Sequence, residues 1–523
     1  VRLSGDEPFD AIRARLSAAG IEAPIVVEAR QILDEGDPSD LSPVFDDVRL
    51  ARVAARLRIA GVQVDAIVTT GARRVRSRDF VVAPVERVDQ LAEAIGHAPT
   101  LAVRRDDLRA ARLDLAACAP AVEGHRVRAQ LDNHLARSQL IALIDGARVR
   151  VHVQVYITSD DADLAPIEQA IVRAAERGVR VRLLADSLLS GHGSFGATNS
   201  LLDRLSRQPG IDVRPIAPIV GVPSIEQLKQ RDHRKLIVVD GAVAIVTGRN
   251  LGRAYYVGFD EVALRADSPW QEVPWFDAGV QLEGPAVETI EAAFLETWLA
   301  TAGEAYALST VARAGDAGVR VVVHHGLEDA YTLEAYLALI DAARERLLIV
   351  NCFPLQLELQ GVLRRALRRG VRVRVLIGNV RPLHGQGIPF VGGAVRDFAT
   401  ELVQSRLDPL IDEGAEVFEL GLAPLRGWDA ALDPVRPHVH AKVLIADGEI
   451  ATIGSANLDL TAAYWESEAL VVIEEAGFVR DLEAQVEALL VSSPRVTSDD
   501  PRRLEHATRR EWLAKHWPTG VLG

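Results

Sequence analysis

Two stretches of the chain show the same order of apolar and polar positions around an Asp-Gly pair. The run KLIVV leads into Asp240-Gly241 and is followed by AVAIV, whereas KVLIA leads into Asp447-Gly448 and is followed by EIATI. Short β-branched runs on both sides of Asp-Gly are typical of a β-hairpin with a two-residue turn. The pattern therefore predicts two hairpins in which Asp240 and Asp447 are structural turn residues.

Longer repeats surround these hairpins. ALIDGARVRV at 142–151 matches ALIDAARERL at 338–347, and AAERGVRVRLLAD at 174–186 matches ALRRGVRVRVLIG at 366–378. In each copy a helical pattern leads into an apolar strand, and Gly178 and Gly370 fit the position just after a helix. Helices that alternate with apolar strands indicate an α/β fold with a largely parallel sheet, to which each hairpin adds an antiparallel part.

Each hairpin carries residues suited to chemistry. His and Lys lie two positions apart before the turn, at His233 and Lys235 and again at His440 and Lys442. Alternate side chains of a strand share a face, so each pair should project together, while Arg234 and Ala441 face away. With a two-residue turn, Gly248 lies opposite His233 and Ser455 opposite His440. Asn250 and Asn457 then share the face of the His and Lys of their own copies.

Two such surfaces facing each other suit a phosphodiester. Two ammonium groups and two amide donors can hold the phosphoryl oxygens and stabilise charge at phosphorus. One neutral imidazole can attack phosphorus, while the other, protonated, gives a proton to the leaving oxygen. The expected intermediate is a phosphohistidine, and the chemistry requires no metal and no cofactor.

The two motifs, HRKLIVVDGAVAIVTGRN and HAKVLIADGEIATIGSAN, resemble the paired HKD motifs of the phospholipase D superfamily. The segment GPAVETIEAAFLETW, which follows the first motif, resembles the bacterial cardiolipin synthase branch. The resemblance implies a pseudo-twofold pair of α/β/α halves with a shared central active site and ping-pong phosphodiester transfer. It also implies that the nucleophile is His233 and that His440 performs the acid–base work.

By the same resemblance, Asp277 and Glu468 hydrogen-bond the far ring nitrogen of the catalytic histidines, and Glu466 is a further candidate. The family has a small pair of residues before each Asn. Here this pair is Thr247-Gly248 in the first copy and Gly454-Ser455 in the second. Gly248 and Ser455 are therefore expected beside the substrate, with a hydroxyl contact to phosphate from Ser455 alone.

The length of the chain predicts more than these two halves. The predicted division is an accessory α/β domain at 1–128, the first half at 129–305, the second half at 306–495, and a helical tail at 496–523. The first of these mixes helical stretches with short strands such as VDAIVTT. It carries no catalytic motif, and its basic run ARRVRSR at 72–78 is interpreted as an exposed loop.

Composition restricts the partners. The formal net charge is −14, so the chain as a whole does not attract a polyanion, and nucleic acid is a less favoured partner than phospholipid. Only two cysteines, Cys118 and Cys352, occur, which favours a reducing compartment. The sequence has no long apolar run, so a transmembrane span is not expected. A cytoplasmic or peripheral membrane location is expected, and export with a removed signal stays open because the chain begins at Val1 and contains no Met.

The favoured substrate is a phospholipid. Aromatic residues between the first motif and Asp277 suit a lipid headgroup boundary, although packing explains at least half of them. They are Tyr255, Tyr256, Trp270, Trp275 and Phe276. Long loops at 187–198, 214–224, 378–396 and 421–437 can form walls over the site. The alternatives are a nuclease or nucleotide phosphodiesterase of the same superfamily and a noncatalytic phosphate-binding or scaffold protein. The sequence does not predict the oligomeric state.

Overall fold

A computed structural model of the chain describes residues 119–326, 329–352, 357–378, 393–500, 504 and 507–516, together with three strands nearer the N-terminus. These strands are β1 (Ile25–Glu28), β2 (Ala66–Thr70) and β3 (Arg78–Ala83). They form an antiparallel sheet in the order β1-β3-β2. The other stretches of the N-terminal segment, including most of the basic run at 72–78, lie outside the described residues.

Fifteen further strands form one large sheet. They are β4 (Val122–Gln130), β5 (Arg150–Val155), β6 (Arg180–Asp186), β7 (Ile211–Ile216), β8 (Leu236–Val239), β9 (Val243–Thr247), β10 (Gly279–Glu283), β11 (Ala317–His325), β12 (Arg346–Val350), β13 (Arg372–Ile377), β14 (Glu416–Glu419), β15 (Val443–Ala446), β16 (Ile450–Gly454), β17 (Ser467–Ile473) and β18 (Arg495–Val496).

The described helices connect these strands. They are α1 (Asn133–Gly146), α2 (Ala165–Glu176), α3 (Ser200–Ser206), α4 (Ile225–Lys229), α5 (Arg253–Tyr256), α6 (Val287–Ala300), α7 (Tyr331–Ala342), α8 (Leu357–Arg368), α9 (Gly393–Asp412), α10 (Leu460–Tyr464), α11 (Ala476–Ser492) and α12 (Ala507–His516). Among the described residues, no helix is both long enough and apolar enough to cross a membrane.

The strand order repeats about the centre of the sheet. From the middle outward, the first half reads β4-β10-β9-β8-β5-β6-β7 and the second reads β11-β17-β16-β15-β12-β13-β14. In each half the three outer strands are parallel and the hairpin is antiparallel. β4 and β11 pair across the junction. This repeated topology confirms the predicted pseudo-twofold α/β fold.

The two halves also share a core. One cluster of buried side chains contains Val280 of the first half together with Val319 and Val471 of the second. Burial of such apolar side chains stabilises the sheet by about 1.5–3 kcal/mol each. Because the cluster crosses the junction, this burial holds the halves in one fixed relation, which a site between them requires.

The predicted helix ends are confirmed at both glycines. Gly178 has φ +88° and Gly370 has φ +86°, values that favour glycine because it has no Cβ. The N–H of Val179 donates to the carbonyl of Ala174 at 3.1 Å and that of Val371 to Ala366 at 3.0 Å. These bonds satisfy carbonyls that the last helical turn leaves unpaired and direct the chain into β6 and β13.

The prediction of a two-residue turn is wrong in both hairpins. Val239 pairs with Val243 in the first hairpin, and the second hairpin has the same register shift of one residue. The reason is that the N–H of Ala242 donates to the carbonyl of Val239 at 3.0 Å and closes the turn. The pairing between the two strands therefore resumes only at the next residue, Val243. Gly248 therefore does not lie opposite His233, and likewise Ser455 does not lie opposite His440. The alternation argument for Asn250 and Asn457 fails with it.

Two predicted domain boundaries fall within the large sheet. β4 begins at Val122, before the predicted boundary at 128, and lies between β10 and β11. β18 spans the boundary at 495 and pairs with β14. Beyond β18, the predicted tail contains α12. The division of the chain into folding units otherwise stays a prediction.

Candidate active site

The two motifs lie where the halves exchange short backbone contacts. The N–H of His233 donates to the carbonyl of Ser467 at 2.9 Å, and the N–H of His440 donates to that of Phe276 at 2.7 Å. Each contact belongs to an isolated parallel bridge outside the main strands. Since Ser467 precedes Glu468 and Phe276 precedes Asp277, each bridge places a histidine beside the carboxylate of the other half.

The side chains complete this crossing. His233 Nδ1 lies 2.7 Å from Glu468 Oε1, and His440 Nδ1 lies 2.7 Å from Asp277 Oδ2. All four side chains are buried. A carboxylate on Nδ1 fixes the tautomer of the ring, which leaves Nε2 to attack or to carry a proton. The sequence predicted the two acids but not that each serves the histidine of the opposite half.

Both lysines are fully buried beside their histidines. Lys235 Nζ donates to the carbonyl of His233 at 2.5 Å, and Lys442 Nζ donates to the carbonyl of His440. Burial, opposed by the charge of Glu468 and assisted by that of Lys442, lowers the pKa of Lys235 to about 7. Two such cations close together favour an anionic ligand. The arrangement therefore suits a phosphodiester.

The same surroundings keep the histidines neutral. Burial and the Lys235 and Lys442 charges hold the pKa of His233 well below its usual value. Burial, followed by the charge of Lys442, lowers the pKa of His440 to about 3, despite its bond to Asp277. Without a bound anion, both rings are therefore bases at neutral pH. An anionic ligand between the lysines would raise both pKa values and allow one ring to be protonated.

The two orienting acids differ in charge. Burial would raise the pKa of Asp277, but its interaction with His440, including the hydrogen bond, and the charges of Lys442 and Arg249 outweigh burial, and the pKa is lowered to about 2. Burial instead raises the pKa of Glu468 to about 7. Asp277 is thus ionised throughout the neutral range, whereas Glu468 titrates within it.

A second buried carboxylate, Glu466, lies beside Glu468. Glu466 accepts a hydrogen bond from the Tyr156 hydroxyl at 2.9 Å, and its Oε2 lies 3.9 Å from His233 Nδ1. Burial and the adjacent Glu468 charge raise the pKa of Glu466 well above its usual value. Because two buried carboxylates close together resist double ionisation, the pair retains a proton near neutral pH.

Gly248 and Ser455 occupy equivalent motif positions and contact the acids of their own halves. A Cβ added at Gly248 would collide with Asp277 Oδ1, so the absent side chain makes room for that carboxylate. Ser455 Oγ donates to Glu468 and accepts from the N–H of Ala469 at 3.0 Å. The geometry gives both residues a part in positioning the acids, while their expected contact with substrate stays a prediction.

The two asparagines are held by the strands next to their hairpins. Asn250 Oδ1 accepts from the N–H of Ile157 at 3.1 Å, and its Nδ2 lies 3.0 Å from the Tyr255 hydroxyl. Asn457 Oδ1 accepts from Cys352 Sγ at 2.9 Å. Asn250 follows the end of β9 and is brought beside the site by the irregular segment there.

Aromatic rings line the histidines. Tyr255 and Trp275 lie with ring centroids 5.2 Å and 5.7 Å from His440, and Tyr156 lies 4.5 Å from His233. His438 packs edge-on against Trp275 at 4.7 Å. Sequence reasoning missed Tyr156 and His438. The H-x-H-x-K spacing could have indicated His438, whereas Tyr156 follows an ordinary apolar strand and carries no signal.

Asp240 and Asp447 lie in the turns, away from the histidines. Asp240 accepts the backbone N–H groups of residues 148, 149 and 150 at 2.7–3.2 Å, and Asp447 accepts those of residues 344, 345 and 346 at 2.8–2.9 Å. Both have positive φ. Each carboxylate therefore joins the hairpin turn to the loop that enters the neighbouring strand.

One group of side chains in the described part of the chain has the spacing of metal ligands. It consists of His233, Glu466 and Glu468. Glu468 already bonds His233 and Ser455, and Glu466 already bonds Tyr156. The Lys235 ammonium acts on both carboxylates. A nearby cation lowers the affinity of these carboxylates for a second one.

Comparisons with known proteins agree with this geometry. The chain matches the family model described as cardiolipin synthase, PLD-like domain, over residues 140–280 and 336–490, one segment in each half. It is 29% identical over 387 residues to cardiolipin synthase A of Pseudomonas aeruginosa, and this alignment covers 73% of this chain and 70% of the relative. It is 28% identical over 332 residues to a cardiolipin synthase of Halalkalibacterium halodurans, and this alignment covers 61% of this chain and 56% of the relative.

A solved structure supports the fold. Phosphatidylserine synthase of Haemophilus influenzae aligns with a TM-score of 0.54 at 13% identity, covering 78% of this chain and 99% of that chain. At this identity the likeness concerns the architecture alone.

Proposed function

Because the chain belongs to the phospholipase D superfamily, we propose that it transfers the phosphatidyl group of a phospholipid to water or an alcohol through a phosphohistidine. The cardiolipin synthase relatives support phospholipase D-type phosphatidyl chemistry on phospholipid as the activity. The covalent intermediate, the independence from metal and the roles of individual residues are the finer parts of the proposal. The observation that carries them is the crossed pair of buried histidine–carboxylate contacts beside two buried lysines.

In the first step, Nε2 of His233 attacks phosphorus and the bond from phosphorus to the headgroup oxygen breaks. Protonated His440 gives its proton to that oxygen, so the headgroup alcohol leaves neutral. In the second step, His440 takes the proton of an incoming hydroxyl whose oxygen attacks phosphorus. The phosphorus–nitrogen bond then breaks and His233 is restored.

The assignment of the two histidines rests on their carboxylates. His440 must carry a positive charge before the headgroup leaves, and its partner Asp277 is ionised across the neutral range. His233 must be a neutral base, and its partner Glu468 belongs to a pair of carboxylates that retains a proton there. An ionised partner stabilises an imidazolium better than a protonated one. This difference favours His233 as the nucleophile.

Lys235 and Lys442 would bind the phosphoryl oxygens and stabilise charge as it develops. The amide of Asn457, which is partly exposed, adds a further donor. Tyr255 and Trp275 would bound the space beside His440 and exclude bulk water, which favours an alcohol acceptor over hydrolysis.

The test is phosphatidyl transfer in vesicles of phosphatidylglycerol, with a primary alcohol added and a chelator present. We expect release of the headgroup and formation of the alcohol adduct, and a roughly 10³-fold or greater loss in His233→Ala and His440→Ala. The matched control is His134→Ala, because His134 is an exposed histidine on α1. Rapid quench into an alkaline denaturant should trap labelled phosphorus on His233 of the wild type, because the phosphorus–nitrogen bond of phosphohistidine is stable in base. Phosphate on His440, or full activity in either alanine variant, would contradict the assignment.

A further inference from the structure

Two loops beside the first motif expose large apolar side chains. Phe195 lies in the loop at 187–198, and Val220 and Val222 lie in the loop at 217–224; their exposed fractions are 56%, 87% and 95%. We refer to these three side chains as the apolar tip. Neither loop contains an Asp, Glu, Lys or Arg. Single exposed apolar side chains are ordinary, but a group of them on uncharged loops indicates a binding surface.

Hydrogen bonds join the two loops. The N–H of Phe195 donates to the carbonyl of Ile219 at 3.0 Å, and the N–H of Ile219 donates back to Ser194 Oγ at 3.0 Å. Ser187 Oγ donates to the carbonyl of Ala217 at 2.9 Å. Because these bonds lie at the level of Ile219, which is buried, Val220 and Val222 project from the same part of the surface as Phe195.

A buried arginine fixes both loops relative to the catalytic residues. Arg231 stands two positions before His233 and is 2% exposed. Its guanidinium donates to Asp186 Oδ2 at 2.8 Å, to the carbonyl of Ala217 at 2.9 Å and to Ser187 Oγ at 2.9 Å. The bases of the loops therefore cannot move independently of the first motif.

The loops also lie at the edge of the sheet that bears the site. They follow the carboxyl ends of the parallel strands β6 and β7, and Tyr156 follows the carboxyl end of the adjacent strand β5. Carboxyl ends of parallel strands meet at one edge of a sheet, where ligands bind in α/β folds. Since the ring of Tyr156 contacts His233, the apolar tip and the first motif share that edge.

The conformation of Phe195 holds its side chain outward. Its φ is +53°, a left-handed value that is uncommon for an aromatic residue. Gly193 and Gly196, with φ +102° and +73°, make the turn around it. The surrounding hydrogen bonds thus maintain an unfavourable backbone in a loop whose aromatic side chain is left in water.

We propose that the apolar tip inserts into the interfacial region of a phospholipid bilayer and holds the active site at the bilayer surface. The inference rests on the proposed function, because a phospholipid substrate resides in a bilayer. An apolar, uncharged surface fits that occupant, since side chains in the interface gain from burial of apolar area without a need for charge partners.

The experiment compares flotation of the full chain with vesicles of phosphatidylcholine and phosphatidylglycerol. The test variant carries Phe195→Ser, Val220→Ser and Val222→Ser together. The matched control is Val491→Ser, because Val491 is 89% exposed on α11 in the other half. We expect the partition of the test variant to fall roughly 100-fold, that of the control to stay unchanged, and Phe195→Leu to retain binding. Binding should persist at high salt, because it does not depend on charge.

A second measurement separates docking from chemistry. Turnover of a short-chain phospholipid below its micelle concentration needs no bilayer, so the test variant should retain it while losing turnover of vesicles. Flotation of the test variant equal to the wild type, an equal loss in the control, or no binding by the wild type would overturn the proposal. Failure of the wild type to act on any phospholipid would instead overturn the proposed function, and flotation could still be measured.

Discussion

Gly248→Ala probes whether the room beside Asp277 is needed for catalysis. The added Cβ would collide with Asp277 Oδ1 and lie 3.1 Å from Asp277 Cγ. The carboxylate has little freedom to move aside, because it is fully buried and its Oδ1 accepts the N–H of Ala278 at 2.7 Å. To restore an ordinary contact, it must shift by about 1 Å and release His440.

A misplacement of about 1 Å in a catalytic group costs roughly 100-fold in rate. We therefore expect kcat/KM of Gly248→Ala on a phospholipid to fall by roughly this factor. The loss of stability should be only about 1–3 kcal/mol, as for other overpacked sites. Thermal unfolding measured beside the kinetics separates the two effects, because a folded but slow enzyme is the expected result.

The matched control is Gly146→Ala. Gly146 ends α1, and an added Cβ there would meet nothing within 4 Å. Its activity and melting temperature should match the wild type. If Gly248→Ala keeps activity within about threefold of the wild type, Asp277 does not need its present position and the assigned role of the His440–Asp277 contact is wrong.

Two further predictions concern the turns and the lysines. Asp240→Ala removes the acceptor of three backbone N–H groups and should lower the free energy of unfolding, measured with denaturant, by about 1–3 kcal/mol. Asp240→Asn should recover part of this loss. An unchanged denaturation midpoint in Asp240→Ala would contradict the structural role. Because the pKa of Lys235 is about 7, the cation is lost above neutral pH, so kcat/KM should fall about tenfold per pH unit on the alkaline side. Lys235→Arg should be slower but lack this decline; an identical pH profile would exclude Lys235 as its source.

The sequence predicted much of the architecture because the repeat consists of patterns among residues that are close together along the chain. Helix-ending glycines, apolar runs and Asp-Gly turns depend on neighbours along the chain, and Gly178 and Gly370 lie where those patterns indicate. The pseudo-twofold relation followed from the duplicated motif. These features need no knowledge of contacts between distant segments.

The errors arose where a local pattern was extended too far. Asp-Gly does not specify whether the ladder resumes directly after the turn, and the extra residue Ala242 shifts the register. That shift invalidates the argument that brought Asn250 to the face of His233. Asn250 instead bonds Ile157, a contact across 93 positions that no periodicity reveals.

The partners of the histidines lay equally beyond sequence reasoning. His233 and Glu468 are 235 positions apart, and His440 and Asp277 are 163 positions apart. The resemblance to the phospholipase D superfamily implies that such acids belong to the site. Only the bridge between the halves determines which acid serves which ring, because it depends on how two separate segments cross.

The crossed contacts have a consequence for how such a site can diverge. In a symmetric dimer of identical halves, one substitution would alter both histidine–acid pairs at once. In a single fused chain each histidine–acid pair is encoded by its own codons, so one pair can change while the other is preserved. This chain shows the result, with Asp277 against Gly248 on one side and Glu468 against Ser455 on the other. Neither half, expressed separately, contains a complete histidine–acid pair, so the two halves of the shared site must be inherited together.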